Sequence, residues 1–491
     1  MLFSLEVQHL KKFLVVWFVF CVAEASMAAP VDVTLPNMGE SAGSYLSPDE
    51  DRRLGDAFMR NLRHALLFVE DTIVTDYLRS LGYQIVAAGD AQTQNFNFFV
   101  VDDPNINAFA GPGGHIGVNT GLLLATESES ELAAVLAHEA GHISQHHIAR
   151  SIELSDRMSI PTIAAMLAAI VIASQSGQAG QAAIAATMAG SAQMQVDFMR
   201  SNEQEADRVG IQSLQRAGFD PHAMADFFGR LQKASRYDVG MLPEFLRDHP
   251  VTESRIADAR NRADQLPHHK REDSLAYHLM QARLKVRALR SPAQGVQELK
   301  QAIDSGSYRN APAAHYAYAL ALLANHNPAA AQHEIATLLA ADRERIPYLL
   351  AQADIDMEMG NGTAALSVYQ QAQRIYPDNR AVTVNETQAL IQLHRPQEAS
   401  TLLQALLRTH TPEPGWYKLL ARAQEEAGNT AASREAVAEY LFMTGETNTA
   451  IHELRKALTL SGLDFYTGSR IDARIKDLEE ERAAEKERKN K

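Results

Sequence analysis

The sequence predicts a mostly helical α+β protein in which a mixed domain is followed by an all-helical solenoid. Short apolar or alternating runs between turn residues occur in roughly the first 270 positions, and a 34-residue spacing of small and large apolar residues runs through the second half. The chain has 491 residues, of which 46% are hydrophobic and 22% charged, so it can bury several cores and is not disordered as a whole. The expected segments are a leader at 1–29, the mixed domain at 30–270, the solenoid at 271–462 and a charged tail at 463–491.

The leader reads as Lys11 and Lys12, an apolar stretch over 13–23, and small residues Ala25, Ser26, Ala28 and Ala29 before Pro30. That order is the pattern of a secretory signal, with cleavage expected near Ala28 or Ala29. The apolar run is shorter than the roughly 20 residues a membrane span needs. The single cysteine, Cys21, lies inside this leader. Disulfide frameworks and thiolate metal clusters are therefore excluded, and any metal must be held by His and carboxylates.

In the mixed domain, Ser47 can cap a helix with Pro48 at its first position, and residues 72–87 have helical periodicity. Segments 96–101 and 115–118 read as strands, separated by turns at Asp103-Pro104-Asn105 and at 111–114. Ser128 with Glu131 forms a capping-box pattern that opens the next helix. Residues 160–173 are apolar and uncharged but too short to cross a bilayer. They read either as half of a hairpin over the site or on a membrane surface, a candidate for peripheral membrane contact, or as an ordinary buried helix.

The second half repeats. Ala319, Ala353 and Thr387 form one series with a step of 34, and Ala331, Ala365 and Ala399 form another, while Ile335, Tyr369 and Leu403 coincide on the same register. Small residues where helices cross, a large one on the next turn and this period are the tetratricopeptide signature. Further helix pairs are expected around 275–303, 416–427 and 431–460. Such a solenoid offers a concave face for peptides or partner proteins, and the dense charges beyond Arg470 read as a solvated or frayed helix.

Charge excludes one class of partner. Lys and Arg number 46 against 60 Asp and Glu, a net −14, and no strongly basic patch interrupts it, so nucleic acid is not an expected ligand.

The chemistry sits in His138-Glu139-Ala140-Gly141-His142 on the capped helix. Histidines four apart share one face, about 6 Å apart along the axis, and can converge on one Zn²⁺ per chain. Glu139 can act as general base on a water in the open position. A third ligand further along the same helix would need His at 148, where Ile148 stands. Of His146 and His147 only the former could share the face, and both read as surface or supporting residues. A downstream helix with Asn202-Glu203-Gln204-Glu205-Ala206-Asp207 supplies Glu203 as the third ligand. Asp207, one turn on, is placed to accept the free ring N–H of a ligand histidine, whereas Glu205 projects away.

These segments, together with Asn107-Ala108-Phe109-Ala110, Gly113-Gly114-x-Ile116-x-Val118 and His249-Pro250…Arg255-Ile256, resemble the HtpX and CAAX-prenyl-protease type of zinc endopeptidase. The resemblance implies a zincin-type metallopeptidase domain. The chain is further similar to exported, repeat-bearing members of that group. This implies a periplasmic enzyme acting on unfolded or misassembled outer-membrane proteins, with the β-barrel assembly machinery as a candidate partner. It also implies that the strand His115, Ile116, Gly117 and Val118 pairs with substrate. His249 then lies near the metal, either in the open position, holding the enzyme latent, or stabilising the transition state; from the residues alone it is a histidine before a proline, ordinarily a turn. The competing expectation is a chaperone or adaptor with a mostly latent metal site.

Overall fold

A computed structural model describes residues 46–89, 95–153, 160–174, 192–237, 243–267 and 271–489. The expected leader lies outside the described residues, as does the second half of the expected hairpin.

Helix α1 (Pro48–Ala65) opens on a complete capping box: Ser47 accepts from Glu50 N–H, and the Glu50 carboxylate accepts from Ser47 N–H. Helix α2 (Thr72–Ala88) starts at Asp71, whose carboxylate accepts from the Ile73 and Val74 amides. Strands β1 (Asn97–Val101), β2 (Ala108–Gly111) and β3 (His115–Asn119) form one sheet in the order β1-β3-β2, with β1 parallel and β2 antiparallel to β3. A 3-10 turn, Pro112–Gly114, reverses the chain between β2 and β3, with Gly113 and Gly114 at φ 69° and 76°, where a side chain would be strained.

Helix α3 (Thr120–Ala125) leads into α4 (Glu129–Ser144), followed by α5 (His147–Glu153), α6 (Ile160–Ser174), α7 (Ala192–Arg216), α8 (Ala223–Tyr237), α9 (Glu244–Asp248) and α10 (Glu253–Ala263). The expected box at α4 forms only in part. Ser128 accepts from Glu131 N–H, but the Glu131 carboxylate accepts from the Glu127 amide and binds Arg230 instead of Ser128. Helix α6 buries Ile163, Ala164 and Ala168 in a cluster with Leu54 and Phe58 of α1, so this face is ordinary core. No described helix is long and apolar enough to cross a membrane.

From Leu275 onward the chain is six helix pairs: α11 (Leu275–Arg287) and α12 (Pro292–Asp304), α13 (Ala311–Ala324) and α14 (Pro328–Ala341), α15 (Ile346–Glu358) and α16 (Gly362–Ile375), α17 (Arg380–Gln392) and α18 (Pro396–Thr409), α19 (Pro414–Glu426) and α20 (Thr430–Met443), α21 (Thr447–Leu458) and α22 (Phe465–Lys489). The period is written in the backbone. His326, Gly360, His394, Gly428 and Gly462 all have positive φ at the turn between paired helices, each 34 residues from the last. Ala319, Ala331, Ala353, Ala365 and Ala399 are buried at the crossings, and Thr387 completes its series with no exposed surface.

One expectation for this half is corrected. The tail helix is not solvated all round: α22 buries Ile471, Ile475 and Leu478 against Ile451 and Leu454 of α21 because its apolar residues recur at helical spacing between the charges, which stay on the outer face. The inner surface is partly covered. The repeats close on the first domain, with α11 and α17 against α2 and α20 against α1. Half-buried charges pin the contact: Arg283 bonds Asp71 (2.6 Å) and the Tyr316 hydroxyl (2.7 Å), and Arg380 lies 2.9 Å from both Asp76 and Glu413. One core cluster runs from Leu78, Phe98, Ile116 and Leu136 into Tyr277, Met280 and Leu284 of α11.

Candidate metal centre

Helix α4 carries His138, Glu139 and His142, and its closest neighbour is α7. The two helices meet at glycines. A Cβ on Gly141 would stand 3.0 Å from the Ala206 carbonyl oxygen, and one on Gly210 would stand 3.1 Å from the Ala137 carbonyl and the His138 nitrogen. A side chain at either position would press on backbone of the partner helix and force a shift of a few tenths of an ångström at the crossing that sets Glu203 against the histidines.

The crossing brings four groups to one point. His142 Nε2 lies 3.1 Å from His138 Nε2, and Glu203 lies 3.4 Å from His138 Nε2 and 3.3 Å from His142 Nε2. His249, at the C-terminal end of α9, places Nδ1 3.1 Å from Glu203 Oε1 and 3.3 Å from His138 Nε2. One donor atom from each of His138, His142, Glu203 and His249 falls within 4.8 Å of the others, a set that could hold a metal ion. Glu139 is fully buried beside it, and neither carboxylate oxygen has a hydrogen-bond partner among the described residues; His249 Nε2 is 3.5 Å away. A buried carboxylate left in this state costs stability and points to a chemical role.

Around the four groups stands a second ring of contacts. Asp207 Oδ1 is 3.0 Å from His138 Nδ1, the position expected from its spacing. Arg255, 2% exposed, donates to both Asp207 oxygens (2.7 and 2.8 Å) and to the Pro250 carbonyl (2.9 Å), and lies 2.9 Å from Glu203. It thus ties the carboxylates of α7 to the turn carrying His249.

The charges are strongly coupled. Burial alone would depress His138, but hydrogen bonds to Asp207 and Glu203 outweigh it and hold the ring up at about 10. His249 is also raised, its burial outweighed by Glu203 and Glu139. In His142 burial prevails and lowers the pKa to about 4. Glu203 is held well below its ordinary range, burial being outweighed chiefly by His249. In the metal-free protein a proton on His138 offsets part of the buried negative charge, and a divalent cation would take over that role.

Two expectations need correction. The strand His115, Ile116, Gly117 and Val118 is the middle strand, paired on both sides, so it has no edge to offer a peptide. The edge nearer α4 is β2. Asn119 N–H donates to the Asn107 carbonyl, which makes that pair hydrogen-bonded. By antiparallel alternation the backbone groups of Ala108 and Ala110 point outward. Ala108 N–H is taken by the Asn107 side chain, leaving the half-buried Ala110 aimed at the open edge.

Of the two histidines that follow the motif it is His147, not His146, that returns to His142, in a supporting position, while Glu205 stays outside the metal cluster as its spacing predicts. The chain turns at His146, φ 53°, and this swings His147 back until its Nδ1 is 2.8 Å from His142 Nδ1. Glu205 faces that histidine at 3.3 Å and Arg150 at 2.8 Å. No local signal in the sequence announces a left-handed histidine.

Comparison with known proteins agrees with this geometry. Residues 73–263 match the model of Peptidase family M48, and residues 356–423 match a tetratricopeptide repeat. The chain is 35% identical to the beta-barrel assembly-enhancing protease of Yersinia pestis, covering 93% of this chain and 94% of the relative. It is also 35% identical to the Escherichia coli K12 protein of the same name, covering 91% of each. The mitochondrial metalloendopeptidase OMA1 of Schizosaccharomyces pombe matches at 31% over 206 residues, 42% of this chain and 57% of the relative. The chain belongs to the beta-barrel assembly-enhancing branch of peptidase family M48, metallopeptidases here joined to tetratricopeptide repeats.

Proposed function

We propose that the protein is a periplasmic zinc endopeptidase that acts on unfolded or misassembled outer-membrane β-barrel proteins. The observation that carries this reading is the convergence of His138, His142 and Glu203 beside a buried, unpartnered Glu139. His138, His142 and Glu203 are the metal ligands, Asp207 fixes the His138 tautomer, and Glu139 is the general base. When bound, zinc supplies a Lewis acid that polarises the scissile carbonyl and makes a water easier to deprotonate. Glu139 accepts the water's proton, and the outward backbone of Ala110 aligns the peptide by strand addition. In this scheme 30–270 is the peptidase domain and 271–462 recruits clients or the assembly machinery. The names of the relatives support the substrate class, and the leader pattern at 1–29 supports export. The outward face of α6, with Ala165, Ala169 and Ile170, is the part proposed to touch lipid.

Metal analysis before and after chelation, alongside cleavage of an unfolded polypeptide, tests the reading. Activity that survives complete metal removal would refute it. A sign test accompanies it. His138 holds its proton in the metal-free protein, its ring held up at about 10, so zinc must expel it, and the apparent affinity should fall by about tenfold per pH unit as pH drops from 8 to 6. Chelator competition at the two pH values reads this, and rising affinity at pH 6 contradicts it.

Ala110→Pro tests the edge. It removes an outward N–H without touching the β2-β3 ladder, and should raise KM for unfolded polypeptide by roughly tenfold, one hydrogen bond's worth, with an unchanged melting temperature. An unchanged KM would move the substrate elsewhere.

His249 favours a second reading. Four protein donors make a closed set, the arrangement of a structural site, whereas catalytic sites keep one position open. A resting enzyme latent in this way could serve chiefly as a chaperone or adaptor. Rescue of outer-membrane assembly in cells by Glu139→Gln, but not by deletion of 273–491, favours that reading; the reverse favours proteolysis.

A further inference from the structure

We propose that His147 is the positioning residue for His142, acting as the middle member of a relay His142–His147–Glu205. This rests on the reading of His142 as a metal ligand. The two ligand histidines on α4 are backed differently. His138 Nδ1 faces a carboxylate directly, at 3.0 Å from Asp207, whereas His142 Nδ1 faces another imidazole at 2.8 Å. The proton positions then follow by elimination. His142 directs Nε2 at the donor cluster, so that nitrogen must be bare and its Nδ1 must carry the hydrogen. His147 Nδ1 is therefore the acceptor, and the His147 proton sits on Nε2. Glu205 stands opposite that nitrogen at 3.3 Å and is itself held by Arg150 at 2.8 Å. Each link admits one tautomer, and the chain ends on a charged pair at the surface, with Glu205 and Arg150 side chains 27% and 30% exposed.

The arrangement is built into the fold. His147 is 4% exposed although it follows the motif helix by only three residues. It reaches His142 because Gln145 caps α4, the chain reverses through left-handed His146, and α5 starts at His147 itself. Glu205 comes from α7, two residues after Glu203, so the helix that supplies the carboxylate ligand also supplies the far end of the relay. A neutral imidazole in place of a second carboxylate orients His142 without adding negative charge to a site that already holds Glu139, Glu203 and Asp207.

The test is zinc affinity of the full chain by chelator competition, with the thermal midpoint of the metal-free protein measured in parallel. His147→Phe keeps an aromatic ring but removes the acceptor, and should raise the zinc dissociation constant roughly 10–100-fold, with the metal-free midpoint little changed. His147→Asn places an amide oxygen near the Nδ1 position and should recover most of that loss. Glu205→Ala should weaken zinc by a smaller factor and add nothing in the His147→Phe background, because it acts only through His147. Unchanged affinity in His147→Phe, or losses for the two sites that simply multiply, overturns the relay. His142→Ala separates this from the underlying reading. If it leaves zinc affinity intact, His142 is no ligand and both fail; if it abolishes binding while His147→Phe does not weaken it, only the relay fails.

Discussion

Arg255→Met should destabilise the metal-free protein by about 3–5 kcal/mol, the range for removing one partner from a buried ion network. The guanidinium is the cation shared by Asp207 and Glu203, and both carboxylates are buried. Without it each keeps its negative charge with only histidines beside it. Methionine fills most of the space against the Phe228 ring, so the loss comes from desolvated charge and not from a cavity. The Pro250 carbonyl loses its donor as well, freeing the turn that carries His249. Zinc affinity should drop roughly 10–100-fold in the same variant, since Glu203 and Asp207 are no longer held in place. Arg255→Lys should rescue little, because an ammonium cannot bond both oxygens of Asp207 while reaching Glu203 and Pro250. Denaturant midpoints of the metal-free proteins and chelator competition measure the two effects. A loss below about 1 kcal/mol would mean that the network contributes no more than an exposed ion pair.

What could be read from the sequence is what repeats or recurs at fixed spacing. The 34-residue period specifies the solenoid because small residues at helix crossings must come back in register, whereas the left-handed turns at His326 and His394 carry no residue type that announces them. The histidines four apart and the Glu203-to-Asp207 spacing are helix-face relations, so they carried directly into the structure's juxtapositions. Strand order is not a local property. Residues 115–118 read as the strand next to the motif, yet β3 is inserted between β1 and β2, and its full burial is the signature of a middle strand. Ala108–Gly111 is short, small and followed by Pro112, which suits an edge strand once the sheet order is known. Arg255 lies 48 residues from Asp207, and only tertiary packing shows that it is the counter-ion for two carboxylates at once.

Glu139→Gln should abolish proteolysis while leaving fold and metal untouched, a separation that no other residue of the cluster permits. The loss of a general base is expected to cost about 10²–10⁴ in kcat, some 3–5 kcal/mol of transition-state stabilisation. Glutamine is nearly isosteric, so the packing of the fully buried side chain survives. The carboxylate has no hydrogen-bond partner among the described residues, and so its removal breaks no hydrogen bond and loses only the looser contact with His249 at 3.5 Å. The melting temperature should therefore stay near that of the parent, and so should zinc content. A carboxylate serving structure would give the opposite result, a fall in stability with activity reduced only in proportion. His138→Ala and Glu203→Ala supply the contrast, because each should lose zinc together with activity. Turnover of an unfolded polypeptide above a tenth of the parent rate in zinc-loaded Glu139→Gln protein would transfer the base role to another group, and His249, 3.5 Å from Glu139, would be the first to examine.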